Sequence, residues 1–232
     1  MTRATALDPD TRFDWSLITV RGEDAESFLQ GQLSQDVTRA DEHGLWTLVL
    51  TPTSEVITSG LLTRVEDRFE LLVGTAVAEI TLTRLKRFLL RTRCAFELET
   101  GREGPIATLG EQVSRGVPGP NEFAMSLTPQ CFGGGFVTDT VSFTKGCFTG
   151  QELVGRLDAR AAVVPWRLVQ CTGPSLDRLD EALRSKGPDG PQGVTTAVTL
   201  DQGVSGLGFV HRSALVEGAL APYGDVTITA CA

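Results

Sequence analysis

The sequence predicts an α+β fold in two regions, and three observations carry that expectation. Strands and helices in the first two-thirds alternate irregularly and include a hairpin, which argues against a doubly wound parallel sheet. The last third changes texture to short strands separated by Gly- and Pro-rich turns, the pattern of a small β-barrel or sandwich. The 232 residues, 41% of them hydrophobic, are enough for one large core or two modest ones without staples. The join is expected near residues 160–165. This gives a first α+β region of residues 1–160 and a terminal barrel-like domain of residues 161–232.

The elements follow in order from the pattern of apolar residues. Leu17 to Val20 reads as a strand ended by Gly22, and Asp24 then caps a helix carrying Phe28, Leu29 and Leu33 on one side. Leu45 to Leu50 is apolar on both alternating faces except at Thr47, so a buried strand is expected. Gly60 to Val73 alternates on either side of Glu66-Asp67-Arg68, the mark of a hairpin. A helix from Thr75 to about Arg91 is expected to turn Val77, Ile80, Leu85, Phe88 and Leu89 inward, before a strand at Ala95 to Leu98. Thr100 to Pro120 reads as connection with one short strand at Ile106 to Leu109. Gly133-Gly134-Gly135 reads as a tight bend, because glycine serves unusual backbone angles. Beyond the join, Pro165 to Cys171, Val194 to Leu200, Leu207 to Val210 and Asp225 to Ala230 read as strands, with an amphipathic helix at Leu176 to Leu183. Trp46 and Trp166 sit in strand-like apolar stretches and are read as core.

Charge and cysteine usage narrow the function. A formal net charge of −8 disfavours a nucleic-acid platform. No apolar run approaches the roughly 18 residues of a membrane span, and MTRATALDPDTRFDW has no apolar core of signal-peptide length. A soluble, cytoplasmic protein is expected. Cys94, Cys131, Cys147, Cys171 and Cys231 are odd in number and widely spaced, which is not a disulfide framework. With His43 and His211 as the only histidines, the spacing offers no zinc or self-contained iron–sulfur ligand set. His211 has no sequence relation to Cys147 that would support a Cys–His dyad.

The most informative stretch runs from Val141 to Glu152, VSFTKGCFTGQE. Gly146 and Gly150 flank Cys147, and from Gln151 the chain can wind into a helix carrying Leu153, Val154 and Leu157. Cys147 is thereby placed just before a helix N-terminus with Lys145 two residues away, both of which favour a thiolate. A Gly-lined turn around an inert buried cysteine is the alternative on residue chemistry alone.

Lys145 to Glu152, KGCFTGQE, resembles the K-G-C-[FY]-x-G-Q-E signature of the YgfZ family of folate-binding proteins at every specified position. Arg21 to Val37 is similar to that family's opening, G-x-D-A-x-x-F-L-Q-G-Q-L-x-x-D-V. Leu85 to Leu98 and Gly193 to Arg212 also resemble family segments, with Thr196 in place of a serine. The chain departs from the family in a shorter stretch from Thr100 to Thr140. It also carries Thr51-Pro52-Thr53-Ser54-Glu55 where relatives often have a basic D-P-K-G-R-like turn. The resemblance implies an aminomethyltransferase-like folate-binding region with a terminal β-barrel, and tetrahydrofolate or a derivative as cofactor. It further implies a role in iron–sulfur cluster assembly or repair, with iron–sulfur proteins or the assembly machinery as partners and an indirect effect on tRNA modification.

A folate site needs hydrogen-bonding groups for the pterin edge, an apolar slot and a cation for the glutamate tail. Gln151 and Glu152 are candidates for the first, Arg156 or Lys145 for the last, and Asp36 and Gln32 for the cleft wall. Glu152 and Arg156, at i and i+4 of one helix, equally form a surface ion pair. The competing function is a one-carbon transferase like the glycine-cleavage T-protein, which does not depend on the cysteine motif. Cys147 and Lys145 are the residues expected to carry the chemistry.

Overall fold

A computed structural model of the chain describes residues 4–160, 163–185, 187–216, 219–220 and 224–231. The first part contains β1 (Ala6–Leu7), β2 (Trp15–Arg21), α1 (Ala25–Gln32), β3 (Leu45–Leu50), β4 (Val56–Val65), β5 (Arg68–Gly74), α2 (Thr75–Lys86) and β6 (Ala95–Arg102). Strands β3-β4-β5-β2-β6 form one antiparallel sheet in that order. The expected hairpin is β4 and β5, closed at Glu66 with φ of 54°. Along β4 the side chains alternate in burial, as a strand with period two must when one face meets a core. That core joins Ile18, Leu62 and Leu71 of the sheet to Phe28 and Leu29 of α1 and Leu82 and Leu85 of α2.

Four short helices follow: α3 (Leu109–Ser114), α4 (Pro120–Phe123), α5 (Gly134–Thr140) and α6 (Gln151–Ala159). The last part contains β7 (Trp166–Gly173), α7 (Leu176–Arg184), β8 (Gly193–Leu200), β9 (Gly203–His211), β10 (Leu215–Val216), β11 (Ala219–Leu220) and β12 (Thr227–Ala230). Their sheet has the order β1-β8-β9-β7-β12-β11-β10. Its first strand comes from the beginning of the chain and runs parallel to β8. Leu179 and Leu183 of α7 are buried against this sheet. A further core crosses the expected join, uniting Leu48 and Leu50 of β3 with Phe123, Phe132, Phe148 and Val154 of the middle and Leu168 and Phe209 of the second sheet. Strand β3 is therefore buried on both faces, Val49 toward the first core and Leu48 and Leu50 toward the shared one.

The middle is also tied to the second sheet through Glu122, which is fully buried. Its carboxyl meets the N–H of Gly119 at 2.8 Å, the amide of Gln112 at 3.1 Å, and the hydroxyls of Thr195 and Thr196 at 2.5 and 2.6 Å. Loss of hydration on burial raises its pKa above the usual carboxylate value, against the pull of these hydrogen bonds.

One expectation is not confirmed and three are corrected. Among the described residues no ladder joins β10 to β1, so the terminal region is a seven-stranded sheet with no barrel closure observed. Ile106 to Leu109 is not a strand. Ile106 is buried, its carbonyl accepts the Trp15 indole N–H at 2.7 Å, and Thr108 caps α3. Helix α2 ends at Lys86 and turns Ala78, Thr81, Leu82, Arg84 and Leu85 inward, leaving Ile80 58% exposed. Ala78, Leu82 and Leu85 lie four and three residues apart, so they share one stripe that Ile80 does not join. Asp24 precedes α1, but its side chain binds the backbone N–H of Arg93 at 2.8 Å instead of capping the helix.

Candidate functional site

The motif loop leaves α5 after Thr140, enters α6 at Gln151, and is fastened on both sides of Cys147. Upstream, Ser34 donates its hydroxyl to the Thr140 carbonyl at 2.6 Å and accepts the Leu48 N–H at 2.8 Å. Its own carbonyl takes the Ser142 N–H at 3.0 Å. Downstream, Phe148 is buried in the shared core and the Thr149 N–H donates to the Gly31 carbonyl at 3.0 Å. Gly150 has φ of 84°, and a Cβ there would lie 2.6 Å from the Thr51 carbonyl oxygen. Only glycine fits both demands. Ser54 of the Thr51–Glu55 turn donates to the Gly150 carbonyl at 2.6 Å, so that turn braces the motif. Gly146 has no such constraint, with open space where a Cβ would stand.

Cys147 is exposed between these anchors, while Cys131 and Cys171 are buried and Cys94 and Cys231 half-buried. Burial pushes the thiols of Cys94 and Cys131 up, and those of Cys171 and Cys231 up to about 12. Cys131 has the Thr128 hydroxyl beside it at 3.8 Å. Lys145, the expected companion cation, is directed elsewhere. Its ammonium donates to the carbonyls of Gln30, Leu33 and Gln35 at 2.6, 2.8 and 2.9 Å, which uses all three protons. Gln30 lies in the last turn of α1, where a cation suits the free carbonyls and the helix dipole. Burial draws Lys145 down to about 8, while the charge of Asp36 favours the charged form.

The remaining predicted residues are spent on local structure. Asp36 accepts from the hydroxyl and N–H of Thr38 and from the Gln30 amide. The Thr38 hydroxyl and the Gln30 amide hold its carboxyl below the usual range, with a smaller contribution from Lys145. Gln32 accepts from Arg84 at 3.0 Å and faces the Thr149 hydroxyl at 3.4 Å. The Gln151 side chain accepts the Phe148 N–H at 3.4 Å, and Glu152 and Arg156 pair with each other on an exposed face. His211 caps a turn by accepting the Ser213 N–H at 3.3 Å, meets the Ser213 hydroxyl at 2.8 Å, and stands edge-on to Trp166, with ring centroids 5.2 Å apart.

The residues that line one aromatic slot were not anticipated. A cavity of about 330 Å³ is bounded by Trp46, Ile106, Arg115, Phe132, Phe136 and Asp139, among others, within the size range of small-molecule sites. Trp46, read from sequence as core, is only partly buried and forms one wall. Phe132 and Phe136 flank the triple glycine, and their rings are 5.2 Å apart. That F-G-G-G-F pattern was the available signal. Asp139 and Thr140 end α5, so the cavity floor continues directly into the loop that carries Cys147. A more open groove of about 500 Å³ on the Gly133–Val137 side has a single aromatic residue, Phe143.

The fold is that of an aminomethyltransferase-like α+β protein. The crystal structure of glycine cleavage system aminomethyltransferase T from Bartonella henselae matches with a TM-score of 0.56 over 99% of this chain and 85% of that one, at 15% identity. In sequence, the chain is 27% identical over 194 residues to an uncharacterized protein of Haemophilus influenzae, which spans 64% of this chain and 68% of that one. It is also 33% identical over 76 residues to the tRNA-modifying protein YgfZ of an Enterobacter species, which is 32% of this chain and 23% of that protein. No family model matches. Among the described residues, no helix is long and apolar enough to cross a membrane.

Proposed function

We propose that this protein is a folate-dependent accessory factor in iron–sulfur cluster assembly or repair, with Cys147 as its working group. The observation that carries the reading is that Cys147 is the exposed thiol among five cysteines, on a loop fastened from both sides. A thiol held in place at the surface can attack a substrate or act as a transient ligand to a cluster in transit, and a partner then completes the shell. The cluster is cargo in this reading. Iron–sulfur proteins or the assembly machinery are the partners, and tRNA modification is affected through iron–sulfur enzymes, in keeping with a net charge of −8.

The aromatic cavity offers the groups that a folate site needs. Trp46, Phe132 and Phe136 offer an apolar slot, the Asp139 carboxylate an acceptor for the amino edge of a pterin, and Arg115, whose Nη1 is engaged by Glu111 and the Pro105 carbonyl, the rest of its guanidinium for the glutamate tail. Bound folate would supply one-carbon or redox chemistry next to the motif loop. Gln151, Glu152 and Arg156 are engaged with the loop or with one another. The test is complementation of a deletion strain with wild type, Cys147→Ala and Asp139→Asn, reading the activity of iron–sulfur enzymes. Both variants are expected to fail while accumulating as folded protein. Full rescue by Cys147→Ala overturns the reading, and tetrahydrofolate-dependent aminomethyl transfer by that same variant would put a T-protein-like transferase in its place.

A further inference from the structure

Arg84, near the C-terminal end of α2, is 8% exposed. Its Nη1 donates to Gln32 at 3.0 Å and its guanidinium lies 4.4 Å over the Phe88 ring. Nε and Nη2 are shielded from solvent and have no hydrogen-bond partner among the described residues. These two nitrogens are not scattered. They form one edge of the planar guanidinium, the edge that presents two parallel N–H groups to an oxyanion. No carboxylate among the described residues forms an ion pair with Arg84, and the neighbouring charge is Arg87, of like sign. A guanidinium cannot escape its burial by losing a proton. The helix dipole favours a cation at this end of α2, but leaves the two N–H groups unmet. What is missing is an anion.

We propose that the Nε–Nη2 edge of Arg84, once the side chains that now shield it from solvent move aside, is an oxyanion seat, filled by the carboxylate or phosphate of a small molecule that docks beside the Cys147 loop. Position supports the pairing, because the Gln32 side chain that holds Arg84 also meets Thr149, two residues from Cys147. The seat is distinct from the aromatic cavity, which other residues line, and it stands whether or not folate binds there.

Thermal unfolding and calorimetry of the full chain test it, with sodium phosphate and sodium succinate as probes against sodium chloride at matched ionic strength. One of the two anions is expected to stabilise the wild type saturably, which also tells a phosphate seat from a carboxylate seat. The effect should persist in Arg156→Ala and vanish in Arg84→Met. In Arg84→Lys, which keeps the charge but loses the fork, affinity should fall at least fivefold, and this variant carries the test if Arg84→Met does not fold. Unchanged binding in either Arg84 variant, or no saturable effect of either anion on the wild type, overturns the proposal.

Discussion

Lys145 and Glu122 each bring an ionisable group into a junction between elements, yet they bind different kinds of partner. Lys145 fastens the motif loop to the end of α1 through three main-chain carbonyls. Any residues at positions 30, 33 and 35 would supply those oxygens. Glu122 fastens α4 to β8 through side chains as well as backbone, and so depends on Gln112, Thr195 and Thr196 being what they are. Burial also acts on the two in opposite directions, lowering the pKa of Lys145 and raising that of Glu122. The Thr195 hydroxyl has one proton and two acceptors in reach, Glu122 at 2.5 Å and the Leu207 carbonyl at 3.0 Å. A protonated Glu122 that donates to Thr195 frees it to donate to Leu207, so the neutral form satisfies more groups in a site where burial already favours it. The lesson is that the loop's anchor tolerates neighbouring sequence, while the anchor between the middle and the second sheet is a matched set.

The largest expected effect tests that matched set. Glu122→Ala leaves the Gly119 N–H, the Gln112 amide and two hydroxyls without their shared partner in a buried site, and about 3–5 kcal/mol of stability should be lost on urea unfolding. A loss below about 1 kcal/mol would mean that water enters the junction and that the side chains around it are interchangeable. Lys145→Met strands three carbonyls that can partly rehydrate, so a smaller loss of about 1–3 kcal/mol is expected. It should be accompanied by new protease cleavage between residues 142 and 150. Unfolding without such local nicking would show that the loop is not held by this lysine alone.

The pH dependence is gentler. Because the folded-state pKa of Glu122 lies above its ordinary value of 4.5, the folded protein holds that proton more tightly than the unfolded chain does. The contribution is fully present below pH 4.5 and is lost as pH rises through the folded value, with a slope of at most about 1.4 kcal/mol per pH unit. Glu122→Gln should flatten this part of the profile, and an unchanged profile would reassign the titration. The smallest effect belongs to the exposed pair on α6. Arg156→Ala should cost only a few tenths of a kcal/mol, and tetrahydrofolate binding, if Trp46 fluorescence reports it, should be insensitive to the change.

Local pattern was enough for much of the frame. The alternation from Gly60 to Val73 could satisfy a core only as a hairpin, and β4 and β5 follow it. The apolar spacing after Gly150 and after Ser175 led to α6 and α7, and the motif spelled out around Cys147 singled out the thiol that the fold exposes. These are consequences of backbone geometry, since strand and helix periods are written into adjacent residues. The destinations of polar side chains were decided by tertiary structure. Lys145 reaches carbonyls 110 to 115 positions away, and Glu122 meets a hydroxyl 74 positions away. Trp46 became a cavity wall because Phe132 and Phe136 came to face it, and Arg84 was buried because α2 turned a different stripe inward. Nor does any local period show that Ala6 and Leu7 begin the second sheet. Periodicity says which residues must be hidden from water; which neighbours then satisfy their hydrogen bonds is settled only when distant faces pack, because those partners are close in space and nowhere near each other along the chain.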